Sequence, residues 1–290
     1  MTVLEEIKYK LRQDNAVVKI IVINVIVFLA LTVISLLFNS AGNWLFSHLI
    51  LPASPAKFIY QPWTIITHFF LHIKVFHILF NMLWFYWFGQ IFQQYLGNSK
   101  TYQVFIFGGI VGGLLFMLAF NLFPIFSASL DNSVAWGASS GVLAIVVATA
   151  TLLPDYQLGL FLFGPVRLKY IALFSVVLDL ISITGSNSDG NPGGHIGHLG
   201  GAAFGFIYIK YLYNKGNIPD GIERFFENAG SLFKAKPKMK IYHSSSKMRV
   251  ENNSKPSQLQ IDMILDKISK NGYESLSKQE KEILFKASKD

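Results

Sequence analysis

Two hydroxyl side chains stand where a polar segment changes into a long apolar one. Ser139 and Ser140 follow Gly137, and residues 142–148 are all aliphatic. A serine at the start of a helix lies beside backbone N–H groups, which stabilise negative charge that develops there. Small residues on both sides leave room for another chain to approach. The stretch therefore predicts either a serine nucleophile at the face of a membrane or close packing of two membrane helices.

A histidine at the start of the last apolar segment could serve such a serine. His198 adjoins a ridge of small residues at four-residue spacing, formed by Gly197, Gly201 and Gly205. The ridge lets this helix approach a neighbour backbone to backbone. If the neighbour is the helix that begins at Ser139, His198 would come within hydrogen-bond reach and act first as general base and then as general acid. The alternative is a histidine that lines a wet cavity.

A second polar pair lies on the second apolar segment. His77 and Asn81 are four residues apart, a spacing that places both side chains on the same face of a helix. Their N–H groups suit the negative oxygen of a tetrahedral intermediate. The alternative is hydrogen bonding between helices, which is worth about 0.6 kcal/mol on average in membranes.

Two further histidines have the spacing of a metal-binding pair. His68 and His72 are four residues apart, as in helices that chelate zinc. No Glu lies between Glu6 and Glu223, so a His-Glu-x-x-His metalloprotease helix is excluded. We therefore predict no metal site at this pair.

The composition is that of a membrane protein. Hydrophobic residues make up 52% of the 290 residues and charged residues only 14%, whereas soluble domains carry about 25% charged residues. The absence of cysteine excludes disulfides and thiolate metal sites. The net charge of +8 indicates membrane topology and contact with lipids rather than binding of nucleic acid.

Six apolar segments are predicted to cross the membrane. Most basic residues near them fall at one set of ends, so both termini of this multi-pass protein are predicted to be cytoplasmic. Six of the seven histidines and Ser139 then lie toward the outer face. Ionisable groups inside a membrane are functional candidates by default. The predicted spans are residues 17–38, 76–95, 102–123, 139–153, 170–183 and 195–213.

The predicted domains are a short N-terminal segment at residues 1–16, a six-span domain at 17–215, a linker at 216–257 and a helical hairpin at 258–290. In the hairpin, apolar residues recur at helical spacing from Ile261 to Ile268. Gly272 is expected to end this helix, and Ser277 with Glu280 to form a capping box for the next. The hairpin is too small to be stable unless it packs against another surface, and the sequence does not identify that partner.

Four motifs occur in an order that matches a known family. They are Pro62-Trp63-x-x-x-Thr67-His68-Phe69-Phe70-Leu71-His72, His77-x-x-x-Asn81-Met82, Gly137-Ala138-Ser139 and His198-x-x-Gly201-x-x-x-Gly205. Over about residues 17–215 the chain resembles the rhomboid intramembrane serine proteases, in particular the bacterial six-span type with a C-terminal cytoplasmic extension. The resemblance implies an all-α membrane bundle that cleaves membrane-anchored proteins in or near their transmembrane helix without a cofactor.

The resemblance also implies roles for individual residues. Ser139 resembles the nucleophile and His198 the base, while His77 and Asn81 resemble the oxyanion hole, completed by the backbone amide of Ser139. The alternative register makes Ser140 the nucleophile, but the Gly-Ala-Ser run aligns without a shift on Ser139. The family works as a Ser-His dyad, so Asp179, inside the fifth span, is interpreted as a packing or hydrated-cavity group.

Two other functions compete with this prediction. One is a proteolytically inactive rhomboid-like protein that binds membrane helices, against which the intact Ser139 and His198 argue. The other is a proton or metal transporter that uses the histidines. A transporter is expected to show an internal repeat and polar groups at mid-membrane, whereas this chain shows no repeat and its histidines lie at one end.

Overall fold

The computed structural model describes residue 5 and residues 15–160, 164–184, 192–214 and 258–287. They belong to two compact units, Met1–Ala235 and Lys236–Asp290, each of which is described by itself. The predicted linker at 216–257 lies outside the described residues, as does most of the predicted segment 1–16.

The first unit is built almost entirely from helices. Two pairs of short antiparallel strands accompany them, and β1 pairs with β2 while β3 pairs with β4. The helices are α1 (Ala16–Leu37), α2 (Asn39–Leu49), α3 (Pro55–Tyr60), α4 (Thr64–Thr67), α5 (Val75–Leu122), α6 (Ser139–Leu152), α7 (Leu168–Thr184) and α8 (Pro192–Asn214), with 3₁₀ turns at His68–Phe70 and Pro124–Ser129. The strands are β1 (Leu51–Pro52), β2 (Val134–Ala135), β3 (Gln157–Leu160) and β4 (Gly164–Arg167).

Helix α5 is divided into two arms. Gly97 has φ 78° and ψ 174°, which is non-helical, and only glycine adopts this positive φ readily. We call residues 75–96 α5a and residues 98–122 α5b. The break falls where the sequence predicts the end of the second span. It also anchors α1, since Asn98 Oδ1 and Gln93 Oε1 accept hydrogen bonds from the first backbone N–H groups of that helix at 3.2 and 3.0 Å.

Two of the described helices are long and apolar enough to cross a membrane. They are α1, with a mean hydropathy of 3.0, and the two-armed α5, with 2.1. Helix α6 is apolar but has 14 residues, which at about 1.5 Å per residue is shorter than the roughly 30 Å hydrocarbon core. The predicted all-α membrane bundle is confirmed. The number of six crossings stays a prediction.

Helix α6 lies at the centre of the bundle. Every residue from Ser140 to Ala150 is buried, as expected of a helix that is apolar all round. Helices α5 and α8 pack against it. A Cβ atom at Gly201 would overlap the carbonyl oxygen of Ser140, and one at Gly205 would overlap that of Ala144. The predicted glycine ridge therefore does bring α8 against the helix that carries Ser139.

Three features of the first unit lie in the connections between the predicted spans. The connection after α1 contains α2, α3 and α4. Leu51 and Pro52 pair with Ala135 and Val134, which ties this connection to the segment before Ser139. Helix α8 begins at Pro192, three residues before the predicted start of the last span at residue 195. Proline suits the first helical position since its missing N–H would be unpaired there. Residues 185–191 lie outside the described residues.

The second unit contains the predicted helical hairpin. Its elements are α9 (Gln258–Asn271), a 3₁₀ turn (Tyr273–Ser275) and α10 (Lys278–Ala287). The capping box forms: the Glu280 N–H donates to Ser277 Oγ at 3.3 Å, and the Ser277 N–H donates to Glu280 Oε2 at 2.7 Å. Lys267 Nζ lies 2.9 Å from both carboxylate oxygens of Glu280. These contacts, the lysine foremost, lower the pKa of Glu280 to about 2.

Candidate active site

Ser139 is the first residue of α6, and the turn that precedes it is held in place by contacts on both sides. The Gly137 N–H donates to the carbonyl oxygen of His68 at 2.9 Å. Gly137 has φ +111°, and a Cβ atom there would lie 2.9 Å from Cε1 of His77. Any other residue would therefore be strained and would crowd the His77 ring. The glycine keeps the space beside Ser139 open.

An open cavity of about 390 Å³ brings the predicted site residues together. Ser139 reaches it from α6, His198 from α8, and His77 and Asn81 from α5a. We call it the serine cavity. Much of its wall is apolar. The remaining lining residues are Phe76, Phe80, Trp84, Val142, Leu143, Val146, Ser175 and Asp179.

The His198 ring is held by a carboxylate. Its Nδ1 lies 2.8 Å from Oδ1 of Asp179, a residue of α7. Nδ1 of His195 lies 2.7 Å from the same oxygen. Because an ionised carboxylate only accepts hydrogen bonds, both rings donate through Nδ1–H. Nε2 is then the nitrogen of His198 that can accept a proton in the serine cavity.

Asn81 and His77 supply donors to the same cavity. Asn81 is buried, and its Nδ2 donates to the backbone oxygen of His77 at 2.9 Å. A carboxamide nitrogen carries two hydrogens, so one remains for a ligand. The His77 ring packs edge-on against His72, with ring centroids 5.1 Å apart. Together with the backbone N–H of Ser139 at the start of α6, these groups can surround a negative oxygen.

A known family model matches the part of the chain that contains the serine cavity. The family model for the Rhomboid domain matches residues 60–215, which is more than half of the chain. The chain belongs to the rhomboid family. RHOMBOID-like protein 12, mitochondrial, from Arabidopsis thaliana is 28% identical over 156 residues, which cover 51% of this chain and 46% of that protein. Rhomboid protease GlpG from Salmonella newport is 32% identical over 54 residues, which cover 19% of this chain and 20% of that protein.

The rhomboid match covers part of these relatives. The chain spans about half the length of the Arabidopsis protein and about a fifth of GlpG. A second family model, for a family of unknown function (DUF6576), matches residues 249–290, which include α9 and α10.

The rhomboid structure distinguishes the two adjacent serines. Ser140 is buried at the junction of α5b and α8, where a Cβ atom at Gly112 would lie 2.7 Å from its Oγ and one at Gly197 3.2 Å. The space beside it is a void of about 20 Å³, which is about enough for one water. Ser139 also borders the void, but it alone of the two lines the serine cavity. This geometry favours Ser139 as the nucleophile.

The histidines at 68 and 72 are buried structural groups. His68 Nδ1 donates to the carbonyl oxygen of Thr64 at 2.8 Å. Burial lowers the pKa of both His68 and His72 to about 4, so both are neutral at pH 7. The two residues do not share one α-helix, because His68 begins a 3₁₀ turn and the chain is irregular by His72. The helical chelating geometry considered from their spacing does not form.

Sequence reasoning missed the contact made by Asp179. The sequence predicts a packing or hydrated-cavity group, and Asp179 does line the serine cavity, but its Oδ1 also lies against both His195 and His198. A signal was present in the predicted topology. An outward-running fifth span puts residue 179 near the outer face, and the sixth span begins at that face with the two histidines.

Proposed function

We propose that this rhomboid is a serine endopeptidase that cleaves membrane-anchored proteins in or near their transmembrane helix. The observation that carries the proposal is the convergence of Ser139, His198, Asn81 and His77 on one cavity. They come from three different helices, and each has the chemical capacity that its proposed role requires.

The chemistry follows from the donor and acceptor atoms. Ser139 Oγ attacks the carbonyl carbon of the substrate while Nε2 of His198 takes the hydroxyl proton. The resulting oxyanion accepts hydrogen bonds from the Ser139 N–H, from Asn81 Nδ2 and from His77. His198 then gives its proton to the leaving amine, which breaks the peptide bond. Water attacks the acyl-enzyme with His198 again as the base, and Ser139 is regenerated.

The walls of the serine cavity suit an apolar substrate. Phe76, Phe80 and Trp84 from α5a face Val142 and Leu143 from α6 across it. Apolar walls with a few convergent polar groups are typical of binding sites. Apolar side chains of a transmembrane substrate fit such walls.

Water can reach the site from a second, more polar cavity. This polar cavity, of about 760 Å³, shares His77 with the serine cavity. Its lining includes Lys74, Ser129, Asn132 and His195. The hydrolytic water of the second half-reaction can therefore approach from the side of the histidines, while lipid would meet the apolar side.

The proposed setting is a bacterial inner membrane with six crossings and both termini in the cytoplasm. The distribution of basic residues supports this orientation. The proposed partners are transmembrane substrates and lipids, with no role for nucleic acid or a cofactor. Protease accessibility of tags at each terminus in sealed inner-membrane vesicles tests the orientation.

The test of the proposed function is labelling of the purified protein with a fluorophosphonate, which reacts with activated serines. We expect wild type to be labelled and to cleave a model transmembrane substrate. Ser139→Ala should lose both properties, and Ser140→Ala is the matched control that should keep at least part of both. Labelling and cleavage that persist in Ser139→Ala would refute the assignment. A wild-type protein that is folded but neither labels nor cleaves would instead favour an inactive helix-binding rhomboid.

A further inference from the structure

Three ionisable side chains meet beside the serine cavity, and a Ser-His dyad uses only one of them. Oδ1 of Asp179 lies 2.7 Å from Nδ1 of His195 and 2.8 Å from Nδ1 of His198. Asp179 is only 8% exposed. A buried carboxylate is costly unless it is paired or hydrogen-bonded, and here both partners are histidines of α8.

The contact determines what His198 can do. An imidazole that donates from Nδ1 carries its lone pair on Nε2, the nitrogen that must accept the proton of Ser139. When it does so, His198 becomes a cation, and a carboxylate 2.8 Å away stabilises that cation. The first effect prepares the base in the resting enzyme, and the second favours the transition state over the resting enzyme.

We propose that Asp179 is a positioning residue that fixes the tautomer and orientation of His198, so that a Ser139–His198–Asp179 relay, in which the proton stays on the histidine, supports the Ser-His dyad of this rhomboid. The inference rests on the proposed endopeptidase function of the same site. Ser139 and His198 remain the groups that touch the substrate, and Asp179 acts only through His198.

His195 holds the carboxylate in this arrangement. His195 and His198 are three residues apart on α8, so both rings project toward α7 from adjacent turns. Since both donate to the same oxygen, Asp179 cannot rotate away from His198 without also leaving the N–H of His195 unpaired. The His195 side chain is 31% exposed, so its hydrogen bond to Asp179 competes with water, and the second histidine favours this position of Asp179 rather than fixing it.

A metal ion is the competing use of the same three donors. The ligand atoms of Asp179, His195 and His198 lie within 4.8 Å of one another. A metal at these atoms would have to replace both Nδ1 protons, and His198 would then be a ligand rather than a base. Cleavage that is lost when a chelator removes a metal from these three residues would therefore contradict the relay.

The decisive variant is Asp179→Asn, because the amide oxygen can still accept from both histidines while the negative charge is lost. The equivalent change in a soluble triad costs about 10⁴ in kcat through a wrong tautomer. The Asn amide oxygen can still keep His198 in the tautomer with the proton on Nδ1. We therefore expect a smaller loss, of about 10- to 1,000-fold in kcat, with KM changed less than about threefold. The rate of fluorophosphonate labelling should fall in parallel with kcat.

The matched control is Asp155→Asn, which makes the same chemical change at an exposed carboxylate. Asp155 lies between α6 and β3 and pairs with Lys169. It should leave kcat, KM and labelling unchanged. All assays include a chelator, and a thermal melt in detergent should place both Asn variants close to wild type. A kcat of Asp179→Asn within twofold of wild type would overturn the relay while leaving the proposed endopeptidase intact.

A measurement on wild type keeps the inference testable if Asp179→Asn fails to fold. A hydrogen-bonded Nδ1–H of histidine resonates downfield of the backbone amides in the proton spectrum. We expect two such resonances, one lost in His198→Ala and the other in His195→Ala. A folded wild type whose spectrum lacks the His198 resonance contradicts the relay, whether or not the protein cleaves substrate. If both downfield resonances are present but wild type neither reacts with the fluorophosphonate nor cleaves substrate, the endopeptidase proposal is refuted instead.

Discussion

Gly201 and Ser140 touch backbone to backbone: a Cβ atom on the glycine would overlap the serine carbonyl oxygen. This contact sets the distance between α8 and α6 just behind Ser139, the proposed nucleophile. His198, one turn earlier on α8, then faces the serine cavity rather than the packed ridge. On the same helix, the glycine therefore packs against α6, while the histidine faces the cavity of the proposed active site.

Gly201→Val should damage folding, because its side chain has no space against α6. Overpacking typically costs about 1–3 kcal/mol, and an overlap with backbone places this variant at or above the upper end. His198→Ala should abolish cleavage but leave the bundle folded, since the side chain borders a cavity. Thermal melts in detergent compare the two. If His198→Ala melted as low as Gly201→Val, the division between packing and chemistry would be wrong.

Asn81→Ala should slow turnover more than it weakens substrate binding, because an oxyanion donor acts mainly in the transition state. One such donor is worth roughly 10²–10³ in kcat in soluble proteases. We expect a smaller loss here, since His77 and the Ser139 amide contribute to the same oxyanion. The measurement is kcat and KM on a detergent-solubilised substrate. Normal kcat with a raised KM would indicate a structural role for Asn81.

Chelators should leave cleavage unchanged, and purified protein should contain no stoichiometric metal. His68 already donates to the Thr64 carbonyl, and the mechanism proposed for Ser139 needs no Lewis acid. Elemental analysis and activity after dialysis against a chelator test this expectation. One zinc per chain that disappears in a His68 and His72 double variant would revive the metal-site alternative.

His68 should make stability depend on pH in the acid range. Burial lowers its pKa from 6.5 to about 4 in the folded protein, so the unfolded chain binds the proton more readily. The contribution of His68 to the free energy of unfolding is therefore complete above pH 6.5 and is lost as the pH falls toward 4. We expect the melting temperature in detergent to drop between pH 7 and pH 5, and to drop less in His68→Gln. An equal drop in both proteins would exclude His68 as a source.

The glycine positions show why much of this fold can be predicted from sequence. Gly97 marks a helix break because its positive φ is a local property of the chain. Gly201 and Gly205 mark a helix contact because only small residues permit it. The helix break and the helix contact are both encoded by residue type and spacing alone. The same holds for the order of the motifs that contain Ser139 and His198.

The pairing of Asp179 with two histidines depends on how α7 is rotated against α8, which spacing within either helix does not determine. The same is true of Leu51 and Pro52 with Val134 and Ala135. These strands have two residues each, too few to show an alternating pattern. Contacts between separate segments therefore account for most of what the sequence did not predict about the site.

Removing residues 220–290 should leave the rhomboid core folded and able to cleave a model substrate. In the predicted topology the tail follows the cytoplasmic end of the last span, while the proposed catalytic residues lie toward the outer face. That topology would separate the tail from the site by a hydrocarbon layer of about 30 Å. The Lys-rich connection, with Lys234, Lys236, Lys238 and Lys240, should instead be attracted to anionic lipid by about 1 kcal/mol per charge near the surface. The comparison is full-length against truncated enzyme on one substrate in detergent, with vesicle binding measured beside it. A truncated protein that elutes as a folded species but has no activity would contradict both the topology and the separation of tail from chemistry.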